Sequence, residues 1–182
     1  MNFPIRAVAF SLLAFRPIIS NLKKENIISC IGLIKKNIIN NLVDIENFII
    51  INKNFIFNFV VSDSKAGYNI FNKYKNVRIY SKISTKKLLE IISESKYMLA
   101  KKDFFVEKFS GQLSLAVSFE VPLILDKDTQ DRYNLPGFVF KENYMEIGNL
   151  EDIDNKTYIS EVDKVKIFKN QSIESNIEKI KK

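Results

Sequence analysis

Short apolar runs alternate with stretches of helical spacing along most of the chain, and this alternation limits the possible folds more than any other feature. Ile27–Ile34, Phe55–Val61 and Val121–Leu125 are almost continuously hydrophobic, as expected of strands that are buried on both faces. Between the first two runs, apolar residues recur every three or four positions over Ile38–Ile51, which predicts an amphipathic helix. Repeated strand–helix units predict an α/β domain with one doubly wound parallel sheet of five to six strands and helices on both faces.

Shorter elements continue this pattern through the rest of the sequence. Ser84 is a good N-cap for a helix that follows it. Further strands are predicted at Val77–Tyr80, Tyr97–Ala100 and Phe138–Phe140, and further helices or helical turns at Lys65–Tyr74, Ser110–Phe119, Thr129–Asn134 and Asn143–Leu150. We therefore divide the chain into an apolar and basic segment (residues 1–25), the α/β domain (residues 26–155) and a charged, helical tail (residues 156–182).

The N-terminal segment contains a nine-residue apolar run, Ala7–Phe15, between Arg6 and Arg16. A helix that spans a bilayer needs about 20 apolar residues, so this run is too short. Arg16 and Pro17 also stand where a signal peptide would have its cleavage site. We expect Met1–Ser20 to be an amphipathic helix that packs on the domain, on a partner chain or on a membrane surface. The expected location is the cytoplasm, with peripheral membrane attachment as an alternative.

Composition excludes several classes of catalytic site. The chain has no histidine and one cysteine, so it has no Ser-His-Asp triad, no Cys-His dyad, no His-ligated metal and no disulfide framework. Its abundant Ile, Lys and Asn indicate an AT-rich coding sequence, which lowers the weight of any single lysine. Residues 1–102 nevertheless hold 17 basic against 6 acidic side chains. This imbalance fits either an anionic partner or a solvated basic surface.

Ligands of doubly wound sheets bind at the carboxyl ends of the strands, beside helix N-termini that attract anions. Three turns fall at such places: Gly32–Asn37, Ser62–Gly67 and Phe109–Gln112. In the last turn, Ser110 can cap a helix, and Gly111 would let a phosphate approach the backbone closely. Neither a dinucleotide-binding GxGxxG nor a P-loop GxxxxGK[ST] occurs.

The order of these pieces from Ile27 to Leu150 resembles the C-terminal, nucleotide-sugar donor domain of GT-B glycosyltransferases, which is Rossmann-like. The pieces that match the family's motifs, in order, are Ile31-Gly32, Lys36-Asn37, Phe59–Ser64, Val77–Ser84, Glu107-Lys108-Phe109-Ser110, Leu115-Ala116 and Val121–Ile124.

The resemblance implies a nucleotide sugar as substrate, bound without a metal or other cofactor. In the family, basic residues after the first strand meet the donor pyrophosphate, which here are Lys36 and Lys35. Glu107 would contact the donor sugar, and the backbone of Phe109–Gln112 (Phe109, Ser110, Gly111 and Gln112) would hold sugar and phosphate. No residue of this chain is identified as the catalytic base.

The sequence departs from the family pattern at several places. Leu33 stands in place of the usual arginine, Leu115 in place of the ribose-binding glutamate and Glu120 in place of a glycine, and Ser62-Asp63-Ser64 replaces Gly-x-Gly. The acceptor-binding domain of the family also has no counterpart here. Either another group compensates for these changes or the activity has decayed. We expect the chain to be a stand-alone homologue of the donor domain, one half of a split enzyme or a fragment of a longer product. In the split enzyme, Met1–Ser20 would contact the partner chain.

Two alternatives to this interpretation stay open. Asp126 and Asp128 form an Asp-x-Asp after a strand, which a metal-dependent GT-A transferase would use to hold a divalent cation and a diphosphate. The other alternative is a non-catalytic Rossmann-like module that binds protein or nucleic acid through its basic half. The aromatic residues Tyr68, Phe71, Tyr74 and Tyr80 fall at core spacing, so we favour packing over base stacking and do not expect a nucleic acid partner.

Overall fold

Six parallel strands form one sheet in the computed structural model, which describes residues 25–32, 39–61, 71–100 and 111–180, without the side chains of 39–41 and 176–180. The strands are β1 (Ile27–Ile31), β2 (Ile56–Val61), β3 (Val77–Ser81), β4 (Tyr97–Leu99), β5 (Leu123–Asp126) and β6 (Gly137–Phe140). Their order across the sheet is β3-β2-β1-β4-β5-β6. The predicted Rossmann-like α/β fold with a parallel sheet of five to six strands is confirmed.

The helices connect these strands on both faces of the sheet. They are α1 (Ile39–Ile51), α2 (Thr85–Glu94), α3 (Gly111–Ser118), α4 (Lys127–Tyr133) and α5 (Asn155–Ile180). Ser84 is the N-cap of α2 as predicted, because its side chain accepts a hydrogen bond from the Lys87 amide at 3.2 Å. Within the described ranges, no helix is both long enough and apolar enough to cross a membrane.

Residues 143–150 do not form the single short helix that we predicted. They form one 3-10 turn at Tyr144–Ile147, and a second follows at Leu150–Asp152. Asn143 caps the first turn, and Asn149 caps the second. Gly148 ends the first turn at φ 74°, a conformation that other residues rarely adopt. Because each turn has its own cap and a glycine separates them, a continuous helix cannot form.

The ends of three other elements differ from their predicted limits. β5 begins at Leu123 rather than Val121, since Pro122 has no amide to donate to the sheet. The helical turn predicted at Thr129–Asn134 begins earlier, at Lys127, because Asp126 caps it. Of the helix predicted at Lys65–Tyr74, residues 65–70 lie outside the described part, and residues 71–73 form a 3-10 turn. Met1–Ser20 also lies outside it.

The chain adds strands first to one side of β1 and then, beginning with β4, to its other side. From β1 the strands add outward through β2 to β3, and the chain then returns to add β4 on the other side of β1. Ile28 of β1 aligns with Phe57 of β2 on one side and with Tyr97 of β4 on the other. Such a switch point leaves a crevice at the carboxyl ends of the two central strands.

Alternate residues of the central strands enter two separate hydrophobic clusters, one on each face of the sheet. Tyr97 and Leu99 of β4 belong to one cluster together with Phe48 of α1, whereas Met98 belongs to the other together with Val117 of α3. All five are at most 1% exposed. This burial on both faces explains why the strands appear in the sequence as continuous apolar runs.

Helix α5 crosses the amino-terminal edge of the sheet, opposite the switch-point crevice. Near its start, the Tyr158 ring packs edge-on against Tyr97, with 5.5 Å between ring centroids. Further along, Val165 is fully buried, and the Lys169 ammonium donates to the Ser118 carbonyl at the end of α3 at 3.0 Å. The predicted tail is therefore a helix that packs against β4 at one end and α3 at the other.

Glu120 adopts a left-handed backbone conformation, with φ 54°. A residue with a Cβ costs about 1–2 kcal/mol there, and glycine costs much less. The Glu120 carboxylate also pairs with the Lys169 ammonium at 2.8 Å, and the two side chains are only 20% and 15% exposed. The ion pair therefore offsets the backbone strain and fastens α5 to the end of α3.

We predict that Glu120→Ala lowers the free energy of unfolding by about 1–2 kcal/mol, because it removes the ion pair and keeps the strained conformation. Glu120→Gly loses the same ion pair but relieves the strain, so it is expected to be more stable than Glu120→Ala by about 1 kcal/mol. Denaturant unfolding measures both variants. Lys87→Met, which removes an exposed ion pair with Glu90 on α2, is the control and should change little. Equal stability of the two Glu120 variants would contradict this account.

Two buried tyrosines, Tyr97 and Tyr144, and the half-buried Tyr158 make stability dependent on alkaline pH. Burial raises the pKa of Tyr158 to about 12, and burial also raises the pKa values of Tyr97 and Tyr144. In the unfolded chain these phenols ionise near pH 10, so above that pH the folded state binds more protons than the unfolded state. Stability is then complete below about pH 10 and falls as the pH rises further.

Denaturant unfolding at about pH 8 and about pH 11 should show this loss. Tyr97→Phe is the informative variant, because within the described contacts the Tyr97 hydroxyl has no hydrogen-bond partner. The variant should keep the packing, match or exceed the wild-type stability at pH 8, and lose less stability at pH 11. An unchanged pH dependence in this variant would exclude Tyr97 as a source of the effect.

Candidate functional site

The switch-point crevice at the carboxyl ends of β1 and β4 is the candidate site. On the β1 side the described chain continues to Gly32, whose φ is 98° and whose amide donates to the Val60 carbonyl at 2.7 Å. On the β4 side it continues to Ala100 and resumes at Gly111, the first residue of α3. The crevice is therefore bordered by the turn at Gly32 and the first turn of α3.

Only two of the seven predicted binding residues lie in the described part of the chain. These are Gly111 and Gln112, at the beginning of α3. The others lie outside the described residues, so their contacts with a donor stay predictions; they are Lys35, Lys36, Glu107, Phe109 and Ser110.

Gly111 is exposed, and the space around its Cα is open. A Cβ built at this position would have no heavy atom of a described residue within 4 Å. Its backbone conformation is not one that requires glycine, since its φ is not in the left-handed region. Neither packing nor backbone geometry thus explains a glycine here, and the open space would let a ligand approach the first turn of the helix.

The side chain of Gln112, in contrast, points into the interior of the domain. Its side chain is 5% exposed, and its amide nitrogen donates to the Leu99 carbonyl at the end of β4. We therefore assign Gln112 a positioning role, because this bond fixes the start of α3 relative to the sheet. Ser118 stabilises the same helix at its other end by donating to the Ser114 carbonyl at 2.8 Å.

Tyr144 also contacts the chain at the end of β4, and no sequence pattern predicted this contact. Its hydroxyl donates to the Ala100 carbonyl at 3.0 Å, and its ring lies 4.4 Å from that of Phe140. Burial raises the pKa of Tyr144, and the nearby Cys30 and Asp126 raise it further, so the phenol stays protonated and keeps donating. The hydrogen bond from Tyr144 therefore fixes the first 3-10 turn at the carboxyl edge of the sheet.

Asp126 serves as a helix cap at the same edge. One of its carboxylate oxygens accepts from the Thr129 amide at 3.0 Å, and the other accepts from the Thr129 hydroxyl at 2.7 Å. Asp126 is 2% exposed, whereas Asp128 points to solvent. The GT-A alternative needs both carboxylates to be free for a cation, and the geometry of Asp126 does not fit this requirement. Across the described ranges, no group of three potential metal ligands occurs.

Phe71 and Tyr74 of the basic half pack against the domain, whereas Tyr68 lies outside the described residues. Phe71 is fully buried and lies 5.4 Å from the ring of Phe59. The Tyr74 hydroxyl donates to Glu46 at 2.7 Å, and Lys73 pairs with the same carboxylate at 2.6 Å. These two hydrogen bonds lower the pKa of Glu46. The described aromatics therefore do not support a base-stacking surface.

Neither a protein-family model nor a curated protein matches the sequence. Solved structures do match it. An O-GlcNAc transferase mutant from Thermobaculum terrenum aligns with 87% of this chain and 35% of its own, at TM-score 0.64 and 9% identity. A glycosyltransferase involved in avilamycin A biosynthesis aligns with 88% of this chain and 55% of its own, at TM-score 0.55 and 10% identity.

A UDP-GlcNAc 2-epimerase from Neisseria meningitidis, solved with UDP-GlcNAc bound, aligns with 94% of this chain and 48% of its own, at TM-score 0.54 and 16% identity. The chain thus spans between about a third and just over half of the proteins it is similar to. At such low identity the likeness concerns the fold. It confirms the fold that the resemblance to GT-B glycosyltransferases implies.

Proposed function

We propose that this chain binds a nucleotide-sugar donor at the carboxyl edge of its sheet and acts as the donor half of a glycosyltransferase. The observation that carries the proposal is the position of α3. Its start is hydrogen-bonded to the end of β4 through Gln112, and among the described residues nothing occupies the space around its first residue, Gly111. This is the place where sheets of this type bind nucleotides.

The chemistry of a nucleoside diphosphate suits such a helix start. The first amides of a helix have no acceptor within the helix, and the helix dipole adds partial positive charge at this end. Lys35 and Lys36, in the turn after β1, would add full positive charges across the crevice. In a transfer reaction these groups would stabilise the negative charge that develops on the leaving diphosphate without a metal.

Rigidity of α3 supports this role. Leu113, Ala116 and Val117 are buried against the second hydrophobic cluster, and Gln112 holds the helix start to β4. A helix that is fixed in this way keeps its amides aimed at one position. Such preorganised donors stabilise charge more effectively than donors that must reorient on binding.

The similar structures support the same ligand class. One of them was solved with UDP-GlcNAc bound, another is an O-GlcNAc transferase and the third is a glycosyltransferase. Because the first of these holds a nucleotide sugar, we infer a nucleotide sugar for this chain as well. Glu107 would contact its sugar and the Phe109–Gln112 backbone its phosphates.

We predict that UDP- or GDP-type ligands bind with micromolar to millimolar affinity, and that binding weakens as salt is added because charge contributes much of it. Lys36→Ala should weaken binding about tenfold by removing one cation. Gly111→Val should weaken it by a similar factor, because its side chain would fill the open space at the helix start. Isothermal titration and the shift in melting temperature measure both effects.

Lys53→Ala is the matched control for the lysine. Lys53 is exposed and follows α1 at the amino edge of the sheet, so its loss changes the net charge equally without touching the crevice. Removing divalent cations with a chelator should not change nucleotide binding. The proposed cradle is wrong if Lys36→Ala and Gly111→Val both bind like the wild type, and a strict Mg or Mn requirement would favour Asp126 and Asp128 instead.

A further prediction concerns catalysis. The chain has no histidine to act as a base, and no carboxylate is placed opposite Glu107 by any motif. We therefore expect the purified chain to hydrolyse a donor slowly at most, and to transfer sugar only with a partner that presents the acceptor. A radiolabelled donor with and without a candidate partner tests this. Robust transfer by the chain alone would contradict it.

A further inference from the structure

One buried side chain, Tyr144, contacts both sides of the switch-point crevice. We call β1 with α1 the first wall of the crevice, and β4 with α3 the second wall. On the first wall, the ring centroid of Tyr144 lies 5.9 Å from that of Phe48 on α1. On the second wall, the Tyr144 hydroxyl donates to the Ala100 carbonyl directly beyond β4, at 3.0 Å. Tyr144 is 3% exposed, so it connects the two walls inside the domain.

The electrostatic surroundings of Tyr144 also include both walls. Burial raises the pKa of its phenol, and interactions with Cys30 of β1, Asp126 of β5 and Asp44 of α1 raise the pKa further. Negative charge near a phenol disfavours its ionised form, so the hydroxyl keeps its proton. It can therefore donate to the Ala100 carbonyl throughout the range of pH in which the domain is stable.

The 3-10 turn that carries Tyr144 is held in place by other hydrogen bonds as well. The Glu146 carboxylate accepts from three backbone amides at the start of the turn, at 2.7, 2.9 and 3.2 Å. At the end of the turn, the side chain of Asn52 donates to the Gly148 carbonyl at 3.3 Å. Removal of the Tyr144 hydroxyl would therefore break the bond to the end of β4, while the turn and the packing of the ring remain.

The two walls carry the groups that we assign to a diphosphate. In the sequence, Lys35 and Lys36 lie between β1 and α1, and Gly111 is the first residue of α3. One ligand can use both sets of groups only if the walls keep a fixed separation. A shift of about 1 Å in such a constellation can weaken its action strongly. A contact that connects the walls from below therefore affects the ligand without touching it.

We propose that Tyr144 is a positioning residue of the donor site, which holds the two walls of the crevice at the separation that a nucleotide sugar requires. Its hydroxyl acts through the end of β4, where Gln112 in turn holds the start of α3. The proposal rests on the proposed function for the identity of the ligand. The connection that Tyr144 makes between the walls does not depend on that identity.

Tyr144→Phe in the full chain tests the proposal, because it removes the hydroxyl and keeps the ring. We expect it to bind UDP-GlcNAc about tenfold more weakly than the wild type, by isothermal titration at a temperature at which every variant is folded. Tyr97→Phe is the matched control, since it removes a buried hydroxyl that has no partner among the described residues. Val165→Ala is the control for stability, because it opens a cavity under α5 and should lower the melting temperature without changing affinity.

The amide chemical shifts of Gly111 and Gln112 test the geometry without a ligand. Tyr144→Phe should move both resonances, and Tyr97→Phe should leave them in place. Wild-type affinity in Tyr144→Phe overturns the proposal, and so does an equal loss of affinity in Val165→Ala, because lower stability would then explain both results. A wild type that binds no nucleotide overturns the proposed function instead. The amide shifts then decide the positioning role, which unmoved resonances in Tyr144→Phe would exclude.

Discussion

Two hydrogen bonds from outside the sheet terminate β4, and the geometry of the carboxyl edge depends on them. Gln112 donates to the carbonyl of Leu99, and Tyr144 donates to the carbonyl of Ala100. Buried carbonyls need partners, and these two donors supply them at the switch point. The same two bonds fix α3 and the first 3-10 turn relative to the sheet. The position of Gly111, and with it the candidate site, follows from how β4 ends.

The sequence predicted those features of the fold that depend on local patterns of residues. Strands that are buried on both faces must be apolar throughout, so β1, β2 and β5 were visible as runs, and Ser84 was visible as a cap because capping is local. It did not predict contacts between distant residues. Asn52, for example, accepts from the Leu150 amide at 2.8 Å and donates to the Gly148 carbonyl at 3.3 Å, almost a hundred positions away. No local pattern distinguishes such an asparagine from a solvated one.

The sequence predicted where the candidate site lies but not what each of its side chains does. The carboxyl edge follows from the fold class, since parallel sheets of this type bind ligands there. The role of each side chain does not follow. Gln112 and Gly111 are neighbours in a turn that was predicted as a unit, yet one is 5% exposed and bonded to the sheet while the other faces open space. Which face of α3 each residue occupies is set by how the helix packs, and packing is a property of the whole domain.

Two departures from the family pattern have a physical explanation in this fold. Where the resemblance implies a ribose-binding glutamate, Leu115 packs against the second hydrophobic cluster and adds apolar burial. Where it implies a glycine, Glu120 occupies a left-handed position, and its pairing with Lys169 offsets the strain. The second residue thereby strengthens the edge of the sheet opposite the crevice. A helix start that binds an anion must keep amides without partners inside the protein, which is unfavourable until the ligand arrives. Stability gained at the amino edge, where α5 is fastened, can offset that cost without covering the site.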